Sequence, residues 1–240
     1  MILAALIAFS TPVAEPTGAQ LISKMFALYH DAKTLRGEIV CTQSAQNVTV
    51  TTRTTLQLER PNRLYILQTR DGSAGGRWKV AADGLRFSYD RPKGIGGKAR
   101  FMEPMTMRDG TKLGIEDVYT AVIYSLGDKC APLDIAIGRR DDLRGLIKEW
   151  DTNFVVKGTQ TIRGITGNVV TGGYHPFPGS RNLGYLEMVI ADDGTLLRYF
   201  LRDRVSVTDV LKEVITVETN FEVSLKIGAE LDPSLFTNLN

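Results

Sequence analysis

The feature that most constrains this chain is a succession of short segments in which apolar and polar residues alternate, separated by turn sequences. Residues 47–60 (NVTVTTRTTLQLER) show the pattern, because Val48, Val50, Leu56 and Leu58 fall on one side of an extended chain. Successive side chains of a strand point to opposite faces, so a period of two predicts a β-strand with one buried face. A chain built from many such segments is expected to form an antiparallel sheet.

Segments of this kind occur in two groups, separated by a region of different pattern. The first group covers 36–43, 47–60, 63–70, 77–82, 85–90 and 99–107, and the second covers 153–161, 164–171, 183–191, 195–205 and 211–227. Turn sequences such as Asp83-Gly84 and Asp193-Gly194 lie between neighbouring segments, and Asp-Gly pairs favour tight hairpins. Each group is therefore predicted to be an antiparallel meander.

Helices are predicted at the start of the chain and between the two meanders. Residues 20–34 carry apolar side chains at close to i, i+3, i+4 and i+7 spacing, which is typical of an amphipathic helix. Gly37 follows and is expected to end or bend this helix. Three more helices are expected within an insert at 111–149, over 115–126, 132–138 and 141–149. The sequence thus predicts a single α+β domain over residues 20–240.

Residues 1–19 have the pattern of a secretory signal. The apolar run at 2–9 is too short to cross a membrane as a helix, which takes about 20 residues, but it suits the hydrophobic part of a signal peptide. Cleavage is expected after Ala19, and the site after Ala14 is poorer because Pro12 stands three positions before the cut. Export would place the chain in the periplasm or outside the cell. An N-terminus that is disordered or docked on the core is the alternative.

Composition argues against several classes of function. The net charge is only +2, whereas nucleic-acid-binding proteins show a clustered basic surplus. Two Cys and two His leave little material for a zinc site, no Gly-x-Ser-x-Gly occurs, and 93–98 (KGIGGK) lacks the spacing of a phosphate-binding loop. We therefore expect no catalytic residues, no metal and no cofactor. Cys41 and Cys130 could form a disulfide in an oxidising compartment or remain two buried thiols.

Several landmarks follow one another in an order that resembles a known family. They are Leu35-Arg36-Gly37, the Arg-Pro-Asn turn within 58–64, the hairpin at 82–84, the strand–turn–strand unit at 186–198 and the end of the chain at 221–236. Together they resemble the LolA-like superfamily of periplasmic outer-membrane lipoprotein carriers and lipoprotein-sorting proteins. The resemblance implies an open, strongly curved antiparallel sheet, a half-barrel, with helices covering its concave face and an apolar cavity between them. The insert at 111–149 is longer and more charged than expected for the lipoprotein carrier itself.

Strand alternation selects the side chains that would line such a cavity. The candidates are Leu56, Leu58, Leu64, Ile66, Trp78, Val80, Phe87 and Tyr89 in the first meander and Leu186, Met188 and Ile190 in the second. A sheet that simply packs against its helices would show the same alternation, so core packing and ligand contact both stay open. Arg60, at the end of an apolar strand, is similar to the arginine that hydrogen-bonds to the lid near the cavity mouth in the carrier family. For Arg60 we expect a solvated arginine before a turn, and a polar gate at the cavity mouth is the alternative.

Two functions of different classes fit these observations. The first is a periplasmic carrier or chaperone that binds the acyl chains of lipoproteins or lipids, since burying each methylene is worth about 0.8 kcal/mol. The second is a cell-envelope sensor or regulator that uses the charged run at 139–149 to contact a partner. The expected partners are a lipid or an acylated protein and a protein of the inner or outer membrane, with no nucleic acid. We expect a monomer that is not an enzyme.

Overall fold

The computed structural model describes residues 15–72, 75–92, 100–127, 129–138, 150, 153–175, 183–206 and 214–237. Three sequence predictions fall elsewhere and lie outside the described residues: the apolar run at 2–9, the loop at 93–98 and the helix at 141–149.

Eleven strands and four α-helices make up the described part of the chain. The strands are β1 (Thr34–Ala45), β2 (Val48–Glu59), β3 (Arg63–Arg70), β4 (Gly76–Asp83), β5 (Arg86–Asp90), β6 (Arg100–Pro104), β7 (Val155–Ile162), β8 (Ile165–Tyr174), β9 (Gly184–Ala191), β10 (Leu196–Ser206) and β11 (Val214–Ile227). The helices are α1 (Gly18–Asp31), α2 (Ile115–Val122), α3 (Ala131–Ile137) and α4 (Pro233–Thr237), and a 3₁₀ turn over Ile123–Ser125 continues α2.

All eleven strands form one antiparallel sheet in the order β6-β5-β4-β3-β2-β1-β11-β10-β9-β8-β7. Each meander is thus a run of hairpins, and the pairing of β1 with β11 joins the two meanders at the centre of the sheet. The edge strands β6 and β7 do not pair with each other, so the sheet stays open. The connection between these two edges carries α2 and α3. The predicted fold class, an open half-barrel with helices on one face, is confirmed.

The eleven predicted strands correspond one to one with those observed, each within three residues at either end. The first helix is shorter than predicted, because Ala32 is extended and Thr34 already pairs with Glu59. The prediction for Gly37 is wrong, since this residue lies inside β1. A Cβ at Gly37 would lie 1.9 Å from the carbonyl oxygen of Ser224, so the close approach of β11 requires glycine there.

The two faces of the sheet carry different layers. One face, called here the helix-covered face, packs against α1, α2 and α3 in a single hydrophobic cluster. On the opposite, outer face, Phe236 of α4 packs against Tyr65 and Ala81. A small cluster of Val189, Ala191 and Leu197 lies there as well. The C-terminal helix therefore lies on the other side of the sheet from the remaining described helices.

The start of α1 bears on the predicted signal cleavage. Thr17 is the N-cap, and its side chain and that of Gln20 form a reciprocal capping box. Cleavage after Ala19 would remove this cap, whereas cleavage after Ala14 would leave the whole of α1 and its cap in the mature chain. The signal peptide and the domain bounds of 20–240 stay predictions.

Candidate functional site

The eleven side chains predicted to line a cavity lie on the helix-covered face and belong to its one hydrophobic cluster. Their exposed fractions run from 0% to 5%. They are Leu56, Leu58, Leu64, Ile66, Trp78, Val80, Phe87, Tyr89, Leu186, Met188 and Ile190. In this structure they contact the protein's own side chains, and contact with a ligand stays a prediction.

Strand register divides the helix-covered face into two ends. At the apolar end, where β1 begins, Leu35, Leu58, Leu64, Ala82 and Phe87 lie side by side on five consecutive strands. All five are buried. Every position in this row is thus apolar and closed to water.

At the polar end, where β1 ends, the same face carries Gln43, Thr52, Thr54, Gln68 and Thr219. Thr54 and Gln68 are 2% and 0% exposed, and the amide of Gln68 donates to the hydroxyl of Thr54 at 3.2 Å. The amide of Gln43 donates to the hydroxyl of Thr219 at 3.4 Å. Buried polar groups are therefore concentrated at one end of an otherwise apolar face.

A cavity of about 230 Å³ opens at the polar end. It is lined by Cys41, Gln43, Val50, Thr52, Lys129 and Thr219. Cys41 also belongs to the hydrophobic cluster, so the polar cavity borders the apolar interior. Sequence reasoning named Cys41 and Val50 among these residues but not Thr52, although Thr52 occupies an inward position of β2 by the same alternation that selected Leu56 and Leu58.

The helix α3 lies along the helix-covered face between these ends. Its seven residues (APLDIAI) are all buried. Lys129, two residues before it, lines the cavity at the polar end, and the carbonyl oxygen of Ala136 accepts a hydrogen bond from Arg60 at the apolar end. The hydroxyl of Tyr119 in α2 donates to Asp134 at 2.5 Å, which satisfies the one carboxylate of α3. This helix therefore covers part of the helix-covered face with buried side chains.

Arg60 links the sheet to the helical layer. Its side chain is 17% exposed and pairs with Glu116 of α2, and it also donates to the Ala136 carbonyl at 3.3 Å. The backbone N–H of Ile115 donates to the carbonyl of Pro61 at 2.9 Å, next to this contact. The structure thus shows an arginine bound to the helices, and the prediction of a solvated arginine is wrong.

The segment after α2 is tied to the sheet as well. The hydroxyl of Tyr89 donates to the carbonyl of Ser125, and burial raises the pKa of Tyr89. Arg70 donates to the carbonyl of Gly127 at 3.5 Å. A Cβ at Gly127 would lie 2.6 Å from the ring of Trp78, so the segment lies flat against that ring.

Aromatic rings fill the other half of the helix-covered face. Trp150 stacks on Phe26 of α1 at 5.8 Å between ring centroids, and its ring also lies 5.6 Å from Phe154 and 6.4 Å from Tyr199. The hydroxyl of Tyr29 in α1 accepts a hydrogen bond from a backbone N–H of β10, and burial raises the pKa of Tyr29 to about 12. These contacts hold α1 to the second meander.

One carboxylate lies beyond the polar end. Asp203 continues the inward positions of β10 after Tyr199 and Leu201, and its carboxylate lies beside Tyr174 and Gly184. Burial raises the pKa of Asp203, and the Tyr174 hydroxyl opposes that rise. This carboxylate does not line the cavity at the polar end.

The outer face of the second meander carries ion pairs between neighbouring strands. Arg198 donates to Glu187 at 3.1 Å and to Asn220 at 2.8 Å, and Arg202 pairs with Glu218 at 2.8 Å. Both guanidinium groups lie over the ring of Phe200. Apart from the small buried cluster of Val189, Ala191 and Leu197, the charged side chains of this face are partly exposed.

Two further observations concern chemistry on the described residues. Cys41 and Cys130 are both buried and not joined by a disulfide. Within the described ranges, no group of three or more His, Cys, Asp or Glu side chains converges as a metal site would require. The helices found in those ranges are all too short or too polar to span a membrane.

Comparison with known proteins gives distant structural neighbours. No protein-family model matches the chain, and no curated protein sequence matches it. Lipoprotein LppX of Mycobacterium tuberculosis is similar, with a TM-score of 0.43 and 12% identity over 87% of this chain and 95% of that chain. The Pseudomonas aeruginosa MucA/MucB complex gives a TM-score of 0.45 and 12% identity over 91% of this chain and 60% of that chain.

A LolA superfamily protein from Nitrosomonas europaea is also similar. It gives a TM-score of 0.32 and 10% identity over 93% of this chain and 99% of that chain. A member of the superfamily that the sequence motifs resemble is therefore among the structures similar to this chain, with low sequence identity and a low TM-score.

Proposed function

We propose that the chain is a cell-envelope carrier or chaperone that binds acyl chains of lipoproteins or lipids between its sheet and its helices. The observation that carries the proposal is α3, a buried apolar helix that lies on the helix-covered face without being part of the sheet. An acyl chain that takes its place exchanges one set of apolar contacts for another. A guest that comes from a membrane or from a partner's groove is already out of water, so its own free energy of transfer is small, which permits both loading and release.

Loading requires α3 to move. The cavity of about 230 Å³ is smaller than the roughly 300–1,000 Å³ of ordinary small-molecule sites. The described polar side-chain bonds that hold α3 are the Tyr119–Asp134 hydrogen bond and the Arg60 contact with Ala136. Opening of α3 breaks these bonds and its apolar packing but leaves the strand pairing of the sheet intact. In this proposal Arg60 holds the helical layer against the apolar end of the sheet.

The envelope sensor stays a second prediction. It depends on the charged run at 139–149, which lies outside the described residues. The carrier has the support of α3 and Arg60, which lie within the described residues, so we place it first. Export to the periplasm and a lipid or acylated protein as the guest belong to the same proposal.

Native mass spectrometry tests the carrier function directly. Protein purified without detergent from bacterial envelopes is expected to carry an adduct with the mass of a lipid or a fatty acid. Denaturing conditions should release the adduct, since it is held by apolar contact and not by a covalent bond. A purely unliganded mass, together with failure of the pure protein to take up an apolar fluorescent probe, would contradict the proposal.

The variant Arg60→Ala tests whether Arg60 holds the helical layer in place. Removing the charge-assisted bonds to Glu116 and Ala136 is expected to speed uptake of the apolar probe N-phenyl-1-naphthylamine by about tenfold, measured by stopped-flow fluorescence. Arg63→Ala is the matched control, because Arg63 lies three residues away, is 48% exposed and pairs only with Glu59 among the described ion pairs. Equal uptake rates for both variants and the wild type would show that Arg60 does not hold the layer closed.

A further inference from the structure

Two neighbouring turns at the apolar end of the sheet each present an exposed apolar side chain followed by an arginine. In the turn between β4 and β5, Leu85 is 77% exposed and precedes the exposed Arg86. In the hairpin that follows β6, Met107 is 53% exposed and precedes the exposed Arg108. The N–H of Met105 donates to the carbonyl of Leu85 at 2.8 Å, so the two turns lie side by side. The four exposed residues are called here the tip surface.

Hydrogen bonds within each turn fix its backbone. The carboxylate of Asp83 accepts from the N–H groups of Leu85 and Arg86, at 2.7 Å and 2.8 Å. In the second turn the N–H of Gly110 donates to the carbonyl of Met107 at 3.0 Å, and Gly110 has a φ of +86°, which favours glycine. The shape of each turn therefore does not depend on its apolar side chain, and neither Leu85 nor Met107 belongs to a hydrophobic cluster of the described residues.

The charge of the two turns is positive on balance. Residues 83–86 and 106–112 carry three cations, Arg86, Arg108 and Lys112, and two carboxylates, Asp83 and Asp109. The three cations are exposed, whereas Asp83 is half-buried in its own turn. Asp109 is exposed as well and opposes part of the positive charge. The apolar side chains of the tip surface are thus flanked by exposed cations.

We propose that the tip surface docks the protein on a lipid bilayer that contains anionic phospholipids. Exposed aliphatic side chains gain free energy when they enter the interfacial region of a bilayer, and neighbouring arginines bind lipid phosphates. Two protruding side chains offer far less area than the roughly 800 Å² per partner of a standard protein–protein interface, which favours a bilayer over a protein. None of the four residues belongs to the cluster on the helix-covered face, so this proposal does not depend on the carrier function.

Binding to vesicles of pure lipid tests the apolar part of the proposal. The wild-type protein is expected to partition about tenfold more strongly into phosphatidylcholine vesicles with about 30% phosphatidylglycerol than into pure phosphatidylcholine vesicles, measured by vesicle flotation. Leu85→Ser with Met107→Ser should lower partitioning into the anionic vesicles by about tenfold, because the apolar contact is lost. The matched control, Val48→Ser with Val205→Ser, changes two exposed side chains at the polar end and should behave as the wild type does.

Three changes of charge test the electrostatic part. Arg86→Gln with Arg108→Gln should lower partitioning into the anionic vesicles by about tenfold and leave the pure phosphatidylcholine vesicles unaffected. Lys157→Gln with Arg204→Gln removes the same charge from exposed positions on β7 and β10, and should behave as the wild type does. Asp109→Asn should raise partitioning into the anionic vesicles by about threefold, because it removes a negative charge and keeps the side-chain oxygen that accepts a backbone hydrogen bond.

Several outcomes would overturn the bilayer surface. Failure of the wild type to bind the anionic vesicles would do so, and so would equal partitioning of the tip-surface variants and their controls. Binding to native envelope membranes but not to pure lipid vesicles would indicate a membrane protein as the partner instead. The carrier function is tested separately, by bound lipid and by probe uptake, and stands or falls without these results. Thermal unfolding of each variant, followed by circular dichroism, shows that the fold is retained.

Discussion

The two ends of the helix-covered face are built on the same strands and yet differ in what their side chains can do. At the apolar end, Leu58 and its neighbours in the row bury only carbon and make no hydrogen bonds through their side chains. At the polar end, Thr54 and Gln68 are as deeply buried but depend on each other for a hydrogen bond. Two equally buried residues of this face are therefore expected to lose different amounts of folding free energy on substitution, depending on which end they occupy.

The two ends also differ in the kind of interaction that their side chains can make. Apolar packing is non-directional and roughly proportional to area, so the apolar end tolerates the exchange of one hydrocarbon surface for another. Hydrogen-bonding groups need specific partners, so the polar end tolerates fewer substitutions. The helix α3 accepts a hydrogen bond at the apolar end through Ala136, and Lys129, two residues before α3, lies at the polar end.

The largest effect is expected at the apolar end, from Leu58→Ala. This side chain is 0% exposed, and its loss leaves a cavity that the sheet cannot close. We expect the free energy of unfolding to fall by about 3 kcal/mol, measured by urea denaturation. Leu85→Ala is the matched control, because Leu85 is 77% exposed in the turn before β5. An equal loss of stability in Leu85→Ala would show that burial at the apolar end is not the cause of the effect.

A smaller effect is expected at the polar end, from Thr54→Val. The shape is kept, but the amide of Gln68 loses its acceptor in a buried position, which costs about 1 kcal/mol. The double variant Thr54→Val with Gln68→Leu should recover part of this loss, since both partners are then apolar. Strictly additive losses in urea denaturation would show that the pair does not act as a unit.

The smallest effect concerns Asp203 and depends on pH. Burial raises the pKa of Asp203 above its ordinary value near 3.8, so the folded protein holds this proton more firmly than the unfolded chain does. The cost is therefore absent below the unfolded pKa and grows as pH rises through the folded pKa. Asp203→Asn should be more stable than the wild type at pH 7, by less than about 1 kcal/mol because solvent screens the half-exposed group.

Urea midpoints of both proteins between pH 3.5 and 7 measure this difference. The advantage of the asparagine variant should shrink towards zero at the acid end of the range. A stability difference that does not change with pH would show that the charge of Asp203 is not its origin.

Much of the fold could be predicted because it depends on local patterns. Alternation located all eleven strands, and turn sequences such as Asp83-Gly84 located the hairpins between them. The insert helices α2 and α3 were also predicted, because their apolar residues cluster. Gly37 was misread because a glycine beyond a helix usually ends it, whereas here the need for glycine comes from Ser224, far along the chain.

The site was only partly predictable for a related reason. Strand parity selected the side chains of the helix-covered face, but parity does not say whether a helix or a guest covers them. The partners of Arg60 lie in α2 and α3, and only tertiary structure brings them together. Thr52 and Thr219 resemble ordinary strand residues in sequence, since threonine is a common strand former. Their role at the polar end depends on a register pairing between distant strands.

The attachment of the helical insert has a mechanical consequence. The chain connects it at both ends to the two edge strands, β6 and β7, which lie ten strand positions apart in the open sheet. Moving the two edge strands apart lengthens the path that the insert must span, and moving them together shortens that path. We therefore expect the position of α3 to depend on the separation of the two edge strands, so that a partner bound at either edge would act on the helical layer from a distance.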